Sequence, residues 1–170
     1  TVVATVNDVL AGISLNGDFT VKEEARFLEE LKKRDYFGFD LLFEMERDLN
    51  RTFRHEMHEK DLWREGNILR ITLFGIDPHF ANHGLGTLLT DQVVELAKDK
   101  GYKYVTCAAT NHFMKHSAEK AGFECLNSIK YSEWEYPKGT GIYPKAGMSE
   151  ITGFDEMCFM VNKLPKKKED

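Results

Sequence analysis

Cysteine is scarce in this sequence and follows no pattern. Its three copies, Cys107, Cys125 and Cys158, are an odd number without metal-type spacing. This argues against a disulfide framework, fits a reducing compartment and gives a cytoplasmic reading. No apolar run is long enough to span a bilayer, and the N-terminus lacks the charged and apolar parts of a signal peptide, so no membrane partner is expected. Positive charge does not prevail either: 23 Lys and Arg stand against 28 Asp and Glu, and the net charge is -5. With the signs intermixed along most of the chain there is no broad basic surface, and no nucleic-acid partner is expected. Internal repeats are missing, and low complexity is confined to the tail PKKKED, Pro165 to Asp170. What is present is 170 residues at 42% hydrophobic content, enough for one ordinary core and too little for two full domains. The expected organisation is one domain over residues 1–164 and a charged, disordered tail over 165–170.

Along the chain, VVATV and VLAGISLNG flank Asn7-Asp8 and read as a hairpin. From Thr20 to Trp63 apolar residues recur at helical spacing among many charges, and two helices with a break at Gly38 are expected. NILRITLFGID is a strand ended by Pro78, the stretch Phe80 to Tyr102 is a helix introduced by glycines, and KYVTCAA is a second strand. A strand-helix-strand unit of this kind joins parallel strands, with its first turn at the C-terminal edge of the first strand. A short helix from His112 to Ala121 closed by Gly122, a strand near Ile129 to Tyr136, a Gly/Pro-rich loop from Lys138 to Gly153 and a last strand MCFMVNKL complete the expectation.

The opening of the central helix, FANHGLG, has little side chain. The first turn of a helix carries N–H groups without intrahelical partners and the positive end of the peptide dipole, which together favour an anion. Gly84 and Gly86 lack the Cβ atoms that would hold a phosphate away from those groups. The same glycines also serve a tight strand-to-helix connection, and both readings stand at this level. A Walker loop is excluded because Gly86 is followed by Thr87 and Leu88 rather than Lys and Ser or Thr, and a dinucleotide fingerprint because Leu89 stands where its third glycine belongs.

Taken with the later TNHFMKHSAEKAGF, this stretch resembles the GNAT superfamily of acetyl-CoA-dependent N-acetyltransferases over most of Ile68 to Phe123. The YSEW segment and the MCFMVNKL end are most similar to the arylalkylamine N-acetyltransferase-like branch of insects and nematodes. The resemblance implies an α/β (α+β) GNAT fold, with a mixed central sheet, splayed parallel strands and flanking helices. It implies that Asn82, His83, Gly84, Leu85, Gly86 and Thr87 offer backbone amides to the CoA pyrophosphate. Phe74, Gly75 and Ile76 would form the bulged strand end that holds the pantetheine and, through an N–H, the thioester oxygen. Asn111 would contact the pantetheine or lower acyl arm; as a residue type it is equally a helix N-cap. Two positions depart from the family pattern: Ala81 replaces a Gln or Arg, and Ala118 replaces the tyrosine that protonates the leaving thiol. Ser117 is the substitute candidate for that acid, with an exposed helix serine as the alternative.

Acetyl transfer needs a neutral amine, and an alkylamine with a pKa of about 10 is nucleophilic in roughly one molecule per thousand at neutral pH unless a base takes its proton. The leaving thiol, at about 8.5, needs the least help. The resemblance implies an N-terminal glutamate as base. This chain opens at Thr1, about the family's second strand, so a segment in front is expected to be missing. Glu44, Glu56 and His58 are the remaining candidates, each equally a solvated helix residue, and the base is left unassigned. His55 and His58 lack HExxH spacing, and the pairs His79/His83 and His112/His116 lack a third ligand, so no metal is expected. Phe37, Phe39, Phe43 and Trp63 suit either an aromatic acceptor pocket or a core.

The resulting expectation is acetyl transfer from acetyl-CoA to a small primary amine of arylalkylamine or polyamine type, by direct attack on the thioester. The alternative is a CoA-binding GNAT-like module with impaired catalysis, motivated by Ala81, Ala118 and the expected missing front. An uncovered sheet edge would invite pairing with a second copy, giving a homodimer.

Overall fold

The computed structural model describes residues 1–33, 39–136, 138–139, 141 and 153–165, leaving out the side chains of residues 28, 31, 32, 39 and 40. Strands β1 (Val2–Val6) and β2 (Val9–Asp18) form the expected hairpin. Asn7 and Asp8 both turn at positive φ, 49° and 63°, the geometry of a turn whose twist matches its strands. Three helices follow, α1 (Val21–Lys33), α2 (Phe39–Leu49) and α3 (Arg51–Glu59), rather than two. The extra break falls after Leu49, whose carbonyl accepts a hydrogen bond from outside the helix, Asn127 Nδ2 at 2.9 Å. Gly38, the expected break, lies outside the described residues.

The strand-helix-strand unit stands where the sequence put it: β3 (Ile68–Ile76), α4 (Leu85–Asp99) and β4 (Tyr104–Ala109), with β3 and β4 parallel. A 3-10 turn at Pro78–Phe80 bridges β3 to α4, and Asp77 Oδ1 caps it by accepting from the His79 N–H at 2.8 Å. Helix α5 (His112–Lys120) precedes β5 (Glu124–Lys130) and β6 (Glu156–Lys163). The six strands form one mixed sheet in the order β1-β2-β3-β4-β6-β5, with β6 between β4 and β5 and antiparallel to both.

The strand expected near Ile129 to Tyr136 is a correction. It is β5, five residues earlier, and most of it is exposed. An edge strand with few buried positions needs no apolar alternation, so its sequence ECLNSIK is quiet. The aromatic residues that suggested a strand instead turn back: Tyr131 and Trp134 are buried, and Trp134 Nε1 donates to Asp48 Oδ2 of α2 at 3.0 Å. Most of the Gly/Pro-rich loop and nearly all of the charged tail lie outside the described residues.

Side chains alternate between two cores, one on each face of the sheet. Leu69, Ile71, Val105, Cys107, Cys158 and Met160 pack against Val93, Val94 and Ala97 of α4 and Met114 and Ala118 of α5. Ile68, Met157, Phe159 and Val161 pack against Met45, Leu49, Phe53 and Met57 of α2 and α3. Each face has its own apolar set because neighbouring strand residues point to opposite sides. A fully buried valine such as Val93 or Val105 contributes about 1.5–3 kcal/mol.

Candidate active site

The site begins where two strands part. β3 and β4 are in parallel register from Ile68 with Tyr104 to Ile71 with Cys107, and no further. At the same point the pairing of β2 with β3 skips a residue: Leu15 faces Leu73 and Asn16 faces Ile71, so Thr72 is bulged. The bulge thus precedes the residues the sequence assigned to it, and Phe74, Gly75 and Ile76 form the strand end beyond. The Asp77 N–H donates to the Ala11 carbonyl at 2.9 Å, which fixes the phase of the antiparallel ladder. Alternation then commits the Gly75 N–H to β2 and turns the N–H groups of Phe74 and Ile76 away from β2, toward the gap left by β4.

A cleft of about 660 Å³ occupies this gap, within the usual range for a small-molecule site. Phe74, Gly75, Ile76, Asn82, Gly84, Leu85, Gly86, Thr87, Asn111 and Ser117 all line it; His83 does not, and is exposed. The cleft spans the thickness of the sheet. One end is walled by the start of α4 and by α5, the other by Leu42, Phe43 and Glu46 of α2 with Met157 of β6.

At the α4 end, Gly84 is the helix N-cap at φ 77°, and no side chain caps the free amides there. The first helical bond runs from the Leu88 N–H to the Gly84 carbonyl, 3.1 Å, so the N–H groups of Leu85, Gly86 and Thr87 have no intrahelical acceptor. Nothing lies within 4 Å of a Cβ placed on Gly84, so the residue opens space toward the cleft as well as supplying the left-handed turn. Gly86 differs: a Cβ there would meet Ser117 Oγ at 2.9 Å. The neighbour there is the end of one α5 side chain, the Ser117 hydroxyl. Of the two, Gly84 makes the left-handed turn of the connection, and both line the cleft.

On α5, Asn111 is the N-cap, its Oδ1 accepting from the Met114 N–H at 2.9 Å. It also lines the cleft, as do Phe113, His116 and Lys120. Ala118 is fully buried in the α4 face core, while its neighbour Ser117 lines the cleft. The hydroxyl that faces the cavity on this helix is thus one residue before the position at which the resemblance places a tyrosine. Tyr131 is no replacement, because its O–H donates to the Thr110 carbonyl at 3.1 Å and burial pushes its pKa up to about 12.

At the α2 end stands a buried ion pair, Glu46 with Arg70 of β3, whose side chains are 8% and 7% exposed. The Arg70 guanidinium also lies over the rings of Phe19 and Phe43, at 5.0 and 5.2 Å. Glu46 Oε2 takes the arginine, and Oε1 has no hydrogen-bond partner. Burial raises the Glu46 carboxyl above the ordinary range, and Arg70 offsets part of that rise.

The candidates from the helical insertion fall elsewhere. Glu44 is paired with Arg47 at 3.0 Å, Glu56 is paired with Lys60, and His58 is exposed; none lines the cleft. Trp63 packs on Phe19 with ring centroids 4.6 Å apart and belongs to the α2/α3 core. Phe43 both packs in the interior and lines the cleft, whereas Phe37 and the Phe39 side chain lie outside the described residues. Among the described residues no group of three or more His, Cys, Asp or Glu side chains is arranged to hold a metal ion.

Residues 41–123, which include α2, β3, the cradle, β4 and α5, match the model of the Acetyltransferase (GNAT) family. That stretch, just under half of the chain, is a GNAT acetyltransferase match. It is an acyltransferase by family, and the mixed sheet with parting parallel strands is the GNAT fold. Among solved structures, arylalkylamine N-acetyltransferase 2 from Aedes aegypti aligns at 22% identity and TM-score 0.67, over 96% of this chain and 72% of that one. A mosquito arylalkylamine N-acetyltransferase like 5b aligns at 20% identity and TM-score 0.69, over 92% and 69%. A Drosophila melanogaster polyamine N-acetyltransferase, which catalyses the formation of N-acetylagmatine, aligns at 16% and 0.70, over 95% and 73%. At these identities the likeness is one of fold. The family's cosubstrate is acetyl-CoA, and the unpartnered amides of residues 85–87 suit its pyrophosphate.

Within this GNAT chain, sequence reasoning missed Glu46 and its partner Arg70. The signal was present. Leu42, Met45, Glu46 and Leu49 follow the i, i+3, i+4, i+7 spacing of a buried helix stripe, and an arginine interrupts the apolar run of β3. An acid and a base each on a buried face point to one another.

Proposed function

We propose that this chain transfers the acetyl group of acetyl-CoA to a small primary amine of arylalkylamine or polyamine type, by direct attack of the amine on the thioester. The observation that carries this reading is the cleft's course through the sheet, from free helix amides at one end to apolar walls and a carboxylate at the other. The α4 amides take the pyrophosphate, and His116 and Lys120 on the facing wall supply donors near its negative charge. The pantetheine arm lies along the parted edge of β3, and the Ile76 N–H receives the oxyanion that forms when the amine adds to the carbonyl. Ser117 stands by as the hydroxyl that passes a proton to the departing thiolate, the step that needs the least catalysis.

A second reading, a CoA-binding module without turnover, is favoured by the two alanines: Ala81 offers the cofactor no side-chain donor, and Ala118 offers no acid. The readings separate on thiol release from acetyl-CoA with a panel of arylalkylamines, polyamines and lysine peptides, run beside CoA calorimetry. Turnover with a primary amine supports the first; CoA binding without thiol release supports the second.

The three cysteines are free thiols, and no helix among the described residues is long and apolar enough to cross a membrane. We place the protein in the cytoplasm on the first of these facts, a proposal that imaging of a tagged chain tests. A homodimer formed along β1, beside the exposed Val3, Val9 and Leu10, is proposed from the open strand edge and tested by sedimentation.

A further inference from the structure

The reading above leaves two kinds of acceptor, and they differ in charge: an arylalkylamine carries one cation on an apolar body, a polyamine two or more. We infer that the α2 end of the cleft selects by charge number, taking amines with a single cation on an apolar or aryl body and turning away polyamines and guanidino amines. The inference rests on the amine-transfer reading, whose acceptor it narrows.

The walls carry it. At this end the cleft is lined by Leu42 and Phe43 of α2, Leu73 beyond the parting of β3, Ala108 of β4 and Met157 of β6. Glu46 is the one acid among the described residues that line the cleft, and it is already committed: Oε2 binds Arg70, and Oε1 is buried out of a ligand's reach. Its neighbours on α2 are committed too, Glu44 to Arg47 at 3.0 Å and Asp48 to Lys138 at 2.7 Å. On α1 the buried Glu24 is held by Arg54 at 2.9 Å. Each of these four carboxylates has its own cation, and none is left to receive a second one from a ligand. Arg70 adds positive charge behind the wall, its guanidinium 5.2 Å from the centre of the Phe43 ring.

A second ammonium or a guanidinium, several carbons from the reacting amine, would leave water for apolar surface with no anion to meet it and a like charge close by. That is costly. An alkyl or aryl body gives up no polar contact there and gains by burial. The Phe43 ring and the Met157 thioether also offer an aromatic acceptor favourable ring and sulfur contacts. At the opposite end the signs are reversed: the free α4 amides, His116 and Lys120 suit the anionic cosubstrate and repel a cation.

The test compares amines that differ in charge number alone. n-Hexylamine and hexamethylenediamine share one chain, and thiol release from acetyl-CoA is measured with each at pH 8, beside phenethylamine and agmatine. Expected is a kcat/KM at least about 100-fold higher for hexylamine than for the diamine, the scale set by an unpaired charge in an apolar site, and the same order for phenethylamine over agmatine. Leu73 is 37% exposed and so accepts a polar replacement. Leu73→Asp gives the second cation a partner and narrows the hexylamine-to-diamine ratio about tenfold, while Leu73→Asn, the same shape without the charge, leaves it within about twofold. Each ratio is read within one preparation, so a partly unfolded variant does not distort it, and the wild-type ratio needs no variant. A diamine turned over as fast as hexylamine overturns charge selection and leaves amine transfer standing. A wild-type preference that Leu73→Asp narrows no more than Leu73→Asn shows that the acceptor does not lie against this wall, which also overturns the inference. A wild type that releases no thiol with any amine overturns the amine-transfer reading beneath it, and the inference falls with it.

Discussion

Gly86 of α4 and Ser117 of α5 face each other across the two helices: a Cβ at 86 would stand 2.9 Å from Ser117 Oγ but 3.9 Å from Ser117 Cβ. The hydroxyl is the obstacle, and the helix backbones are not. Gly86→Ala is therefore expected to cost no more than about 1 kcal/mol, the Ser117 hydroxyl turning to another rotamer. In a Ser117→Ala background the same change is expected to cost nothing, since alanine is the better helix former by up to about 1 kcal/mol. Urea midpoints of the two single variants and the double variant give the coupling; additive effects would show that the hydroxyl is no obstacle at 86.

Gly84 offers a way to separate backbone need from ligand need. Its φ of 77° is one that asparagine also adopts, and a Cβ there meets no protein atom within 4 Å. Gly84→Asn should stay within about 1 kcal/mol of wild-type stability yet weaken acetyl-CoA, because its side chain stands in the space assigned to the pyrophosphate. Gly84→Val, β-branched and strained at that φ, should lose both, with about 1–2 kcal/mol of stability gone. Calorimetry with unchanged affinity for Gly84→Asn would remove the phosphate-cradle reading.

Ala81 sits at the rim of the same cleft. Ala81→Arg is expected to tighten CoA by about 1 kcal/mol, the net value of an ordinary hydrogen bond, or roughly fivefold in affinity. Titration calorimetry at two salt concentrations checks both the sign and its electrostatic origin.

Asn111 holds two assignments that one pair of variants can divide. Its cap to the Met114 N–H is reproduced by serine and lost in alanine, so Asn111→Ala should cost about 1 kcal/mol and Asn111→Ser much less. If the amide also meets the cosubstrate, Asn111→Ser keeps the stability and still loses acetyl-CoA affinity. Equal affinity in Asn111→Ser and wild type leaves Asn111 as a cap alone.

Thiol chemistry should distinguish the cysteines. Burial pushes the Cys107 thiol far up, and burial, with neighbouring Cys125 and Glu156, pushes Cys158 up to about 12. Both stay protonated at pH 8 and shielded, whereas Cys125 is exposed. Iodoacetamide at pH 8 is expected to label one cysteine in the native protein, identified by mass spectrometry as Cys125, and all three after denaturation.

The centre of the fold was legible because its elements carry both of their faces in the sequence. β3, α4 and β4 are apolar runs separated by Pro78, Gly84 and Gly101, and those signals are local. What escaped is what depends on partners distant in the chain. The Leu49 carbonyl at the extra break accepts from Asn127, 78 residues away, and the strand expected near Ile129 to Tyr136 lies five residues earlier because an exposed edge strand needs no alternation to mark its start. In the site, the cradle could be read because backbone amides at a helix start follow from the helix itself. Glu46 could not be placed as easily, since a glutamate in a charged helix looks solvated until Arg70 is found opposite it. Ala118 was read as a lost acid; its burial puts it in the core, and the cleft-facing hydroxyl belongs to Ser117.

The parting of β3 from β4 after Ile71 leaves part of a sheet without its hydrogen-bonding neighbour. A native fold with such a seam is incomplete until something extended lies in it, and a pantetheine arm seated there as proposed would act as a strand substitute. Melting behaviour should then depend on cosubstrate by mass action: at a CoA concentration 100-fold above Kd the folded state gains about 2.7 kcal/mol, a rise of roughly 5 to 10 °C in Tm for a domain of this size. The protein is thus expected to be most resistant to heat and proteolysis when CoA is abundant, and to loosen first along this seam when CoA is depleted.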